Sequence, residues 1–388
     1  MVPIIMRGFY WYVGFDQTIV KYILFITAVV LLVYNIKPLM RSFTKKKTYD
    51  RIVAIIIFLI LLTFVISFAY WGQSPILTFR AAASQFVFLY YFILKKYRVS
   101  FDIVLKLVTI FAAIYFILWL IAITAAPTVL FGNLDEVADD RGFFRILQLP
   151  GIDNLCLFYF ICLVKISRES KRKMWWIVLT MASYIIIFLS LSRNLIFVVS
   201  FVTLLFLLLY YKKALLAFGI VLALGGYSLF SNNEILNSLF SMTMSEVEER
   251  SENNLRLVEY TEFTKQYPFN IGTFLFGNGE PHVLSSYGQR EESLKTSIGF
   301  NRSDAGYVHI LTSYGIVMML FLLFLLHKVY KQKVSYNHLG FKLFIFMLFL
   351  VNVLSSSFFS YAVSFMISLY ALEKDKEEQR KLLSTYEA

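Results

Sequence analysis

The sequence predicts an all-α polytopic membrane protein of about ten or eleven transmembrane helices with one large extracytoplasmic loop. Three observations carry that prediction. Apolar runs near twenty residues recur along the chain, only 16% of its residues are charged, and mean hydropathy is +0.67. A helix needs about 20 apolar residues to cross a bilayer core, so the runs have the length of spans rather than of a soluble core. Between Phe230 and Asp304 the apolar pattern then stops for some seventy residues of polar sequence. Segments of that length without obvious structure are usually functional or disordered.

A net charge of +12 and a pI near 9.4 suggest a nucleic-acid partner only until the charges are located. They fall in short loops: Lys37 to Arg51, Lys95 to Arg98, Lys165 to Lys173, Lys212 with Lys213, and Lys328 to Lys333. This is positive-inside patterning, with anionic lipid headgroups as neighbours. We therefore expect membrane lipids and no nucleic acid as partners. Cys156 and Cys162 share one apolar stretch and read as packing residues, and the four histidines show no metal-ligand spacing. Residues 1–18 lack the apolar core and cleavage site of a signal peptide.

The basic loops orient each span in turn. Residues 19–36 run inward to the loop 37–51, 52–70 outward, and 76–94 inward to Lys95 and Lys96. Residues 103–126 go out, 146–164 return, 174–191 go out, and 194–211 come back from a hairpin at Ser192-Arg193. Residues 214–230 go out again, leaving 231–303 outside, and 304–326 return. About thirty residues at 341–371 would make roughly 45 Å of helix, too long for one untilted span. Ser355-Ser356-Ser357 is the expected break into two short spans. The organisation is then membrane helices over 1–230, a loop domain over 231–303, membrane helices over 304–371, and a charged tail over 372–388 on the inner side. The insertion holds ten acidic and six basic residues, opposite in sign to the loops across the membrane. Within it a helix is expected from Ser245 to Gln266, ended by Tyr267-Pro268-Phe269, and Phe276-Gly277-Asn278-Gly279 reads as a tight turn.

Several charged residues stand where membrane depth makes charge costly, on the order of 3 kcal/mol on insertion scales. Arg193 lies between two long apolar helices; it either snorkels to headgroups or forms an anion site for a lipid phosphate. Arg141 and Arg145 precede Pro150-Gly151 and are either interfacial anchors or part of a broken helix lining a cavity. Arg256 lies on the insertion's helix, where it is either an ordinary partner of Glu252 or Tyr260 or a ligand-facing cation. Arg302, Asp304, Tyr307 and His309 gather where the chain re-enters the membrane, with Arg302 and Asp304 close enough to pair. Asp304 is either a helix N-cap beside a structural His309, or one of the two is a general base for a hydroxyl. No phosphate-binding loop, zinc-protease motif, nucleophile elbow or dinucleotide fingerprint is present. Any synthetic reaction would draw its energy from an activated, lipid-linked substrate.

Four stretches resemble the O-antigen and capsular polysaccharide polymerases (the Wzy type), which are related to the O-antigen ligases. They are Asp140-Arg141-Gly142-Phe143-Phe144 with Leu149-Pro150-Gly151; Leu191-Ser192-Arg193-Asn194; Arg256 through Gly279; and Asp304-Ala305-Gly306-Tyr307 through Gly315-Ile316. With the span layout, the resemblance covers most of residues 50–370. Two departures stand out: Ser303-Asp304 replaces the ligase-type His-Asn pair, and no Arg-x10-Gly pattern follows Arg256. The resemblance implies glycosyl transfer at the outer face of a bacterial cytoplasmic membrane, with no metal and no cofactor. An undecaprenyl-pyrophosphate-linked glycan would be joined to an incoming lipid-linked repeat unit, and a chain-length regulator protein would be a partner. It implies Arg193 and Arg256, assisted by Arg141, Arg145 or Arg302, on the leaving pyrophosphate. Asp304 or His309 would be the catalytic base, with Tyr260, Tyr267 and Tyr307 stacking on sugars. A ligase or a flippase for lipid-linked sugars is the alternative. The topology predicts that a cysteine at Ser286 reacts with an impermeant thiol reagent in intact cells; protection there would overturn the orientation.

Overall fold

The computed structural model describes residues 16–44, 48–125, 149–167, 172–190, 192–211, 255–266, 270–298, 302, 305–353 and 355–386, with Tyr12, Thr128, Leu130, Phe131 and the pairs 140–141 and 144–145. Long apolar helices dominate them. In order these are α1 (Gln17–Thr44), α2 (Thr48–Trp71), α3 (Pro75–Ala81), α4 (Tyr90–Lys96), α5 (Phe101–Ala125), α6 (Ile152–Ile166), α7 (Lys173–Leu189) and α8 (Arg193–Tyr210). There follow α9 (Leu255–Gln266), α10 (Ile271–Phe276), α11 (Ser286–Ile298), α12 (Gly306–Lys331), α13 (Leu339–Val351), α14 (Ser357–Ser360) and α15 (Ala362–Tyr386). Before α6 a two-residue antiparallel ladder pairs Asp140 with Arg145 and Arg141 with Phe144.

Four of these helices, α1, α2, α5 and α12, are long and apolar enough to cross a membrane, and the bent α3–α4 segment makes a fifth if taken as one span. The chain is thus an all-α polytopic membrane protein. Exposed Ile, Val, Leu and Phe side chains along α1, α5 and α8 present apolar surface outward, while α6 and α13 are buried nearly throughout. Lipid is as apolar as leucine, so helices in it associate by close packing rather than by hydrophobic burial. Gly340 shows how close: a Cβ there would stand 2.9 Å from the Ile161 backbone of α6.

The element boundaries differ from the sequence reading at instructive places. Helix α1 runs through Lys37 and Arg41 to Thr44, because Lys and Arg are good helix formers and can snorkel without ending a span. The expected span at 76–94 is bent by 71° around Ala82, and its middle, Ala83–Leu89, is a 3-10 helix. The expected break near Ser355 is present, since α13 stops at Val351 and α15 begins at Ala362. Beyond it, α15 continues as helix through the charged tail, burying Glu373 against Lys95 and Tyr91 and Asp375 against Ser335. The predicted span at 214–230 and the first part of the insertion lie outside the described residues.

One further break organises the rest. Helix α12 is interrupted at Gly315, whose φ of 77° and ψ of 174° are not helical. Nine residues after Gly306 this lies about 13 Å along the helix. Gly277, just after α10, has nearly the same conformation, with φ 79° and ψ 175°. The two glycines face each other's chain: a Cβ on Gly277 would lie 2.3 Å from Ser313 backbone atoms, and one on Gly315 2.3 Å from the Leu275 carbonyl oxygen. Residues 276–279 are therefore no free turn but a segment docked into the broken helix. Asn278 N donates to Thr312 O at 2.8 Å and Gly279 N to Ser313 O at 2.9 Å. Each occupies a carbonyl that the interrupted helix has left without its own partner, and buried backbone groups require one.

This interlock yields a graded prediction for thermal unfolding. Gly277→Ala and Gly315→Ala should each cost several kcal/mol, more than the ~1–3 kcal/mol of ordinary overpacking, because backbone rather than side chain must move. Gly72→Ala, also at positive φ but with nothing within 4 Å of its would-be Cβ, should cost only ~1 kcal/mol. Equal melting temperatures for all three would contradict the interlock.

Candidate functional site

Docking of residues 277–280 carries one carboxylate into the membrane domain. Glu280 follows Gly279 directly, and its side chain is only 14% exposed. Its Oε1 accepts from the Tyr314 hydroxyl at 2.6 Å, from Gln85 Nε2 at 3.1 Å, and from His309 Nε2 at 3.0 Å. Arg302 Nη1 stands 3.9 Å from its other oxygen. The donors come from the bent segment after α3 and from α12 before its break, and the Arg302 charge comes from the residues leading into α12. The segment is held from behind as well. Gln73 Nε2 donates to Glu280 O at 2.8 Å, and Trp71 Nε1 donates to Asn278 Oδ1 at 3.0 Å.

Burial alone would push the Glu280 carboxyl up. Attraction to His309, then Arg302, with the hydrogen bonds from His309 and Tyr314, outweighs it and holds the carboxyl at about 2. The acid is thus kept charged in a place where an unpaired charge would be neutralised.

Arg302 is itself buried, with 8% of its side chain exposed. Its Nη1 donates to Ser313 Oγ at 2.8 Å, its Nη2 donates to the Tyr287 hydroxyl at 3.0 Å, and it pairs with Glu291 of α11. Burial opposes its charge; Glu291 foremost, with Tyr287 and Glu280, more than compensates and raises its pKa. The guanidinium therefore bridges α11, the broken turn of α12 and Glu280. The sequence pairing with Asp304 falls outside the described residues.

His309 lies between two partners. Its Nε2 faces Glu280 and its Nδ1 faces the Ser356 hydroxyl. A charged carboxylate only accepts, so Nε2 carries a proton and, in the neutral ring, Nδ1 is the lone pair. Glu280 thereby fixes ring orientation and tautomer, leaving Nδ1 to interact with a hydroxyl. Ser356 belongs to the break between α13 and α15, and that break collects the elements named from the sequence. Asn194, next to Arg193 at the start of α8, donates through Nδ2 to Val351 O at 2.9 Å and to Ser355 Oγ at 3.2 Å. Tyr260, one turn beyond Arg256 on α9, donates to Val353 O at 3.2 Å. Tyr307 donates to Phe349 O at 2.9 Å. Gly306 approaches so closely that a Cβ would meet Asn352 O at 2.6 Å.

The structure thus brings the Arg193 end of α8, the Arg256 helix, Arg302, Tyr307 and His309 to one region. The Arg141–Arg145 ladder is described as backbone only, and the side chains of Arg141, Arg145, Arg193 and Arg256 lie outside the described residues, as do Asp304 and Tyr267. The insertion packs onto this region through Phe263 of α9 and Tyr287 of α11 against Ala305, with Trp71 stacked on Tyr287 at 4.3 Å.

Sequence reasoning missed Glu280, Gln85, Glu291, Tyr314 and Ser356. Glu280 reads as one more acid in an acidic loop; the adjacent Gly-Asn-Gly is the only local sign that its backbone approaches another chain closely. Gln85 within an apolar run is the other signal, since a buried amide must find a partner. Among the described residues no group of three or more His, Cys, Asp or Glu side chains could hold a metal ion. No protein-family model matches the chain, and no curated protein matches it.

A carboxyl held below its ordinary value contributes stability that is complete above that value and is lost as pH falls through the depressed one. Acid should therefore lower the wild-type melting temperature progressively from about pH 4.5 toward pH 2. Glu280→Gln should melt lower at neutral pH and lose part of that acid dependence. Parallel pH profiles of wild type and variant would exclude the charged-carboxylate description.

Proposed function

We propose that this chain is a glycosyltransferase of the membrane that joins lipid-linked oligosaccharides into a polymer, as the resemblance to polysaccharide polymerases implies. The observation that supports it most is the oriented His309, held by Glu280 with its other nitrogen against a hydroxyl, beside the Arg193 and Arg256 helices. Glycosyl transfer from a pyrophosphate-linked donor makes two demands. The acceptor hydroxyl must lose a proton as it attacks the anomeric carbon, and the departing pyrophosphate must be stabilised by positive charge.

On this reading His309 Nδ1 takes the proton from the acceptor sugar's hydroxyl, which occupies the place of the Ser356 hydroxyl. Glu280 is a positioning residue that stabilises the imidazolium formed. Arg302 acts through Glu280 and Glu291 rather than on substrate, because both its Nη groups bond inside the protein. Arg193 and Arg256, with Arg141 or Arg145, supply cations for the pyrophosphate of the undecaprenyl carrier. Asp304 stays an alternative base, and Tyr260 and Tyr307 line the approach. The insertion belongs on the outer face of a bacterial cytoplasmic membrane, where lipid-linked repeat units are reached without nucleotides.

A flippase for the same lipids is the second reading, and the interrupted helix at Gly315 with the 71° bend near Ala82 favours it. Broken spans are a recurring way to build a substrate site in transporters.

Purified protein with lipid-linked repeat units should produce a ladder of polymer. His309→Ala and Glu280→Gln should lower the rate by about a hundredfold or more, within the range for general-base groups. Arg193→Ala and Arg256→Ala should leave single lipid-linked repeats. Flipping without elongation would favour the transporter, and ladders unchanged in all four variants would overturn the assignment.

A further inference from the structure

At the far end of α12 from the Gly315 break, its last turn meets the extension of α15 in a cleft of about 400 Å³. Lys328, Lys331, Gln332 and Lys333 line one side, and Lys376, Gln379, Arg380 and Leu383 the other. Five of these eight residues are cations and none is acidic. Four of the cations follow helical spacing, Lys328 and Lys331 on α12 and Lys376 and Arg380 on α15, with Lys333 just beyond α12, so each helix turns a basic face toward the other. Like charges at such spacing repel by a few tenths of a kcal/mol in isolated helices.

Two local explanations of these cations, helix-end capping and ion pairing, do not apply. Lysines near a helix C-terminus often satisfy its last carbonyls, but here Lys342 does so, donating to Tyr330 O at 2.9 Å and Gln332 O at 2.8 Å. Ion pairs with the acids of α15 are also absent among the described residues. Glu373 goes to Lys95 and Tyr91, Asp375 is 1% exposed and turned to Ser335, Gln379 and His338, Glu377 lines a separate cavity, and the exposed Glu378 does not line the cleft. The cleft thus keeps five positive side chains without an internal counter-charge. Its floor is fixed, since Gln332 donates to Leu372 O at 2.8 Å and accepts from Tyr49.

We propose that this cleft is a binding site for the phosphates of an anionic membrane lipid, and that a lipid with two phosphates fits it best. The lipid is favoured over a soluble phosphate by what adjoins the cleft. Lys328 and Lys331 are in the last turn of a helix that can cross the membrane. Exposed Leu320, Leu323 and Phe324 continue along α12 toward the bilayer interior, and Lys328 Nζ lies 5.5 Å from the Phe324 ring centre. An acyl chain laid along that stripe would bring its phosphate to the lysines. Two phosphates match five cations and a cleft of this volume better than one does.

Native mass spectrometry of the delipidated full chain tests the site, with a four-chain diphosphate lipid (cardiolipin), phosphatidylglycerol, phosphatidylcholine and inorganic pyrophosphate as probes. Cardiolipin should bind most tightly. The triple variant Lys328→Gln, Lys376→Gln, Arg380→Gln should lose its affinity by about tenfold or more, as expected for removing several near-surface cations. A control losing the same charge elsewhere, Lys37→Gln, Arg41→Gln, Lys173→Gln, should stay within about twofold. Both variants should melt like the wild type. Equal loss in the control would mean general attraction to a basic face and overturn the site. Pyrophosphate binding that the triple variant loses, with no lipid preference, would overturn the lipid assignment in favour of a soluble phosphate.

Discussion

A helix broken inside a membrane leaves carbonyl groups that lipid cannot satisfy, and this constraint organises the molecule. Just before the break at Gly315, the carbonyls of Thr312 and Ser313 are taken by the N–H groups of Asn278 and Gly279. In hydrocarbon an unmet backbone group costs several kcal/mol, so the docking is obligatory once the break exists. Because Gly277 and Gly315 each lie against the other's chain, nothing larger fits at either position. The next residue, Glu280, is delivered by the backbone to one place, and Tyr314, Gln85, His309 and Arg302 are gathered around it.

The polar cluster that results is unusually well supplied with partners for its depth. Charges in low dielectric are tolerated when paired and hydrogen-bonded, and Glu280 collects donors from two separate stretches of chain and the Arg302 charge from a third. Such a network resists local change, since removing one member leaves another buried and unmet. It also orients His309 toward the second discontinuity, the one between α13 and α15. Two breaks, one opened by a glycine and one by a run of serines, thus face each other across an imidazole. Irregular backbone at membrane depth is tolerated where it is buried in protein or lines a cavity, and such places are where membrane proteins do chemistry or transport.

Much of the fold is legible in the sequence because span length and apolar composition leave few choices. Serines 355–357 mark a real discontinuity for the same reason: thirty residues of straight helix exceed a bilayer. The 71° bend near Ala82 leaves no mark, since the apolar run around it reads alike whether straight or bent. In the site, His309, Arg302 and Tyr307 are visible as polar groups at a membrane re-entry. Glu280 is not, because its importance comes from Gly277 meeting Ser313, a contact between residues far apart in sequence that neither propensity nor periodicity encodes. The same holds for Gln85 and Glu291, ordinary in their own segments and decisive only through the partners the breaks bring to them.

The docked Glu280 and the span-borne His309 are joined by a direct hydrogen bond and should respond to mutation as one coupled unit. A double-mutant cycle on unfolding free energy, using Glu280→Gln, His309→Gln and the pair, measures that directly. Residues sharing one network show interaction energies of about 0.5–3 kcal/mol, so the double variant should lose less than the sum of the single losses by about 0.5 kcal/mol or more. Additive losses would mean that the two side chains are independent and that residues 277–280 do not dock against α12 as described.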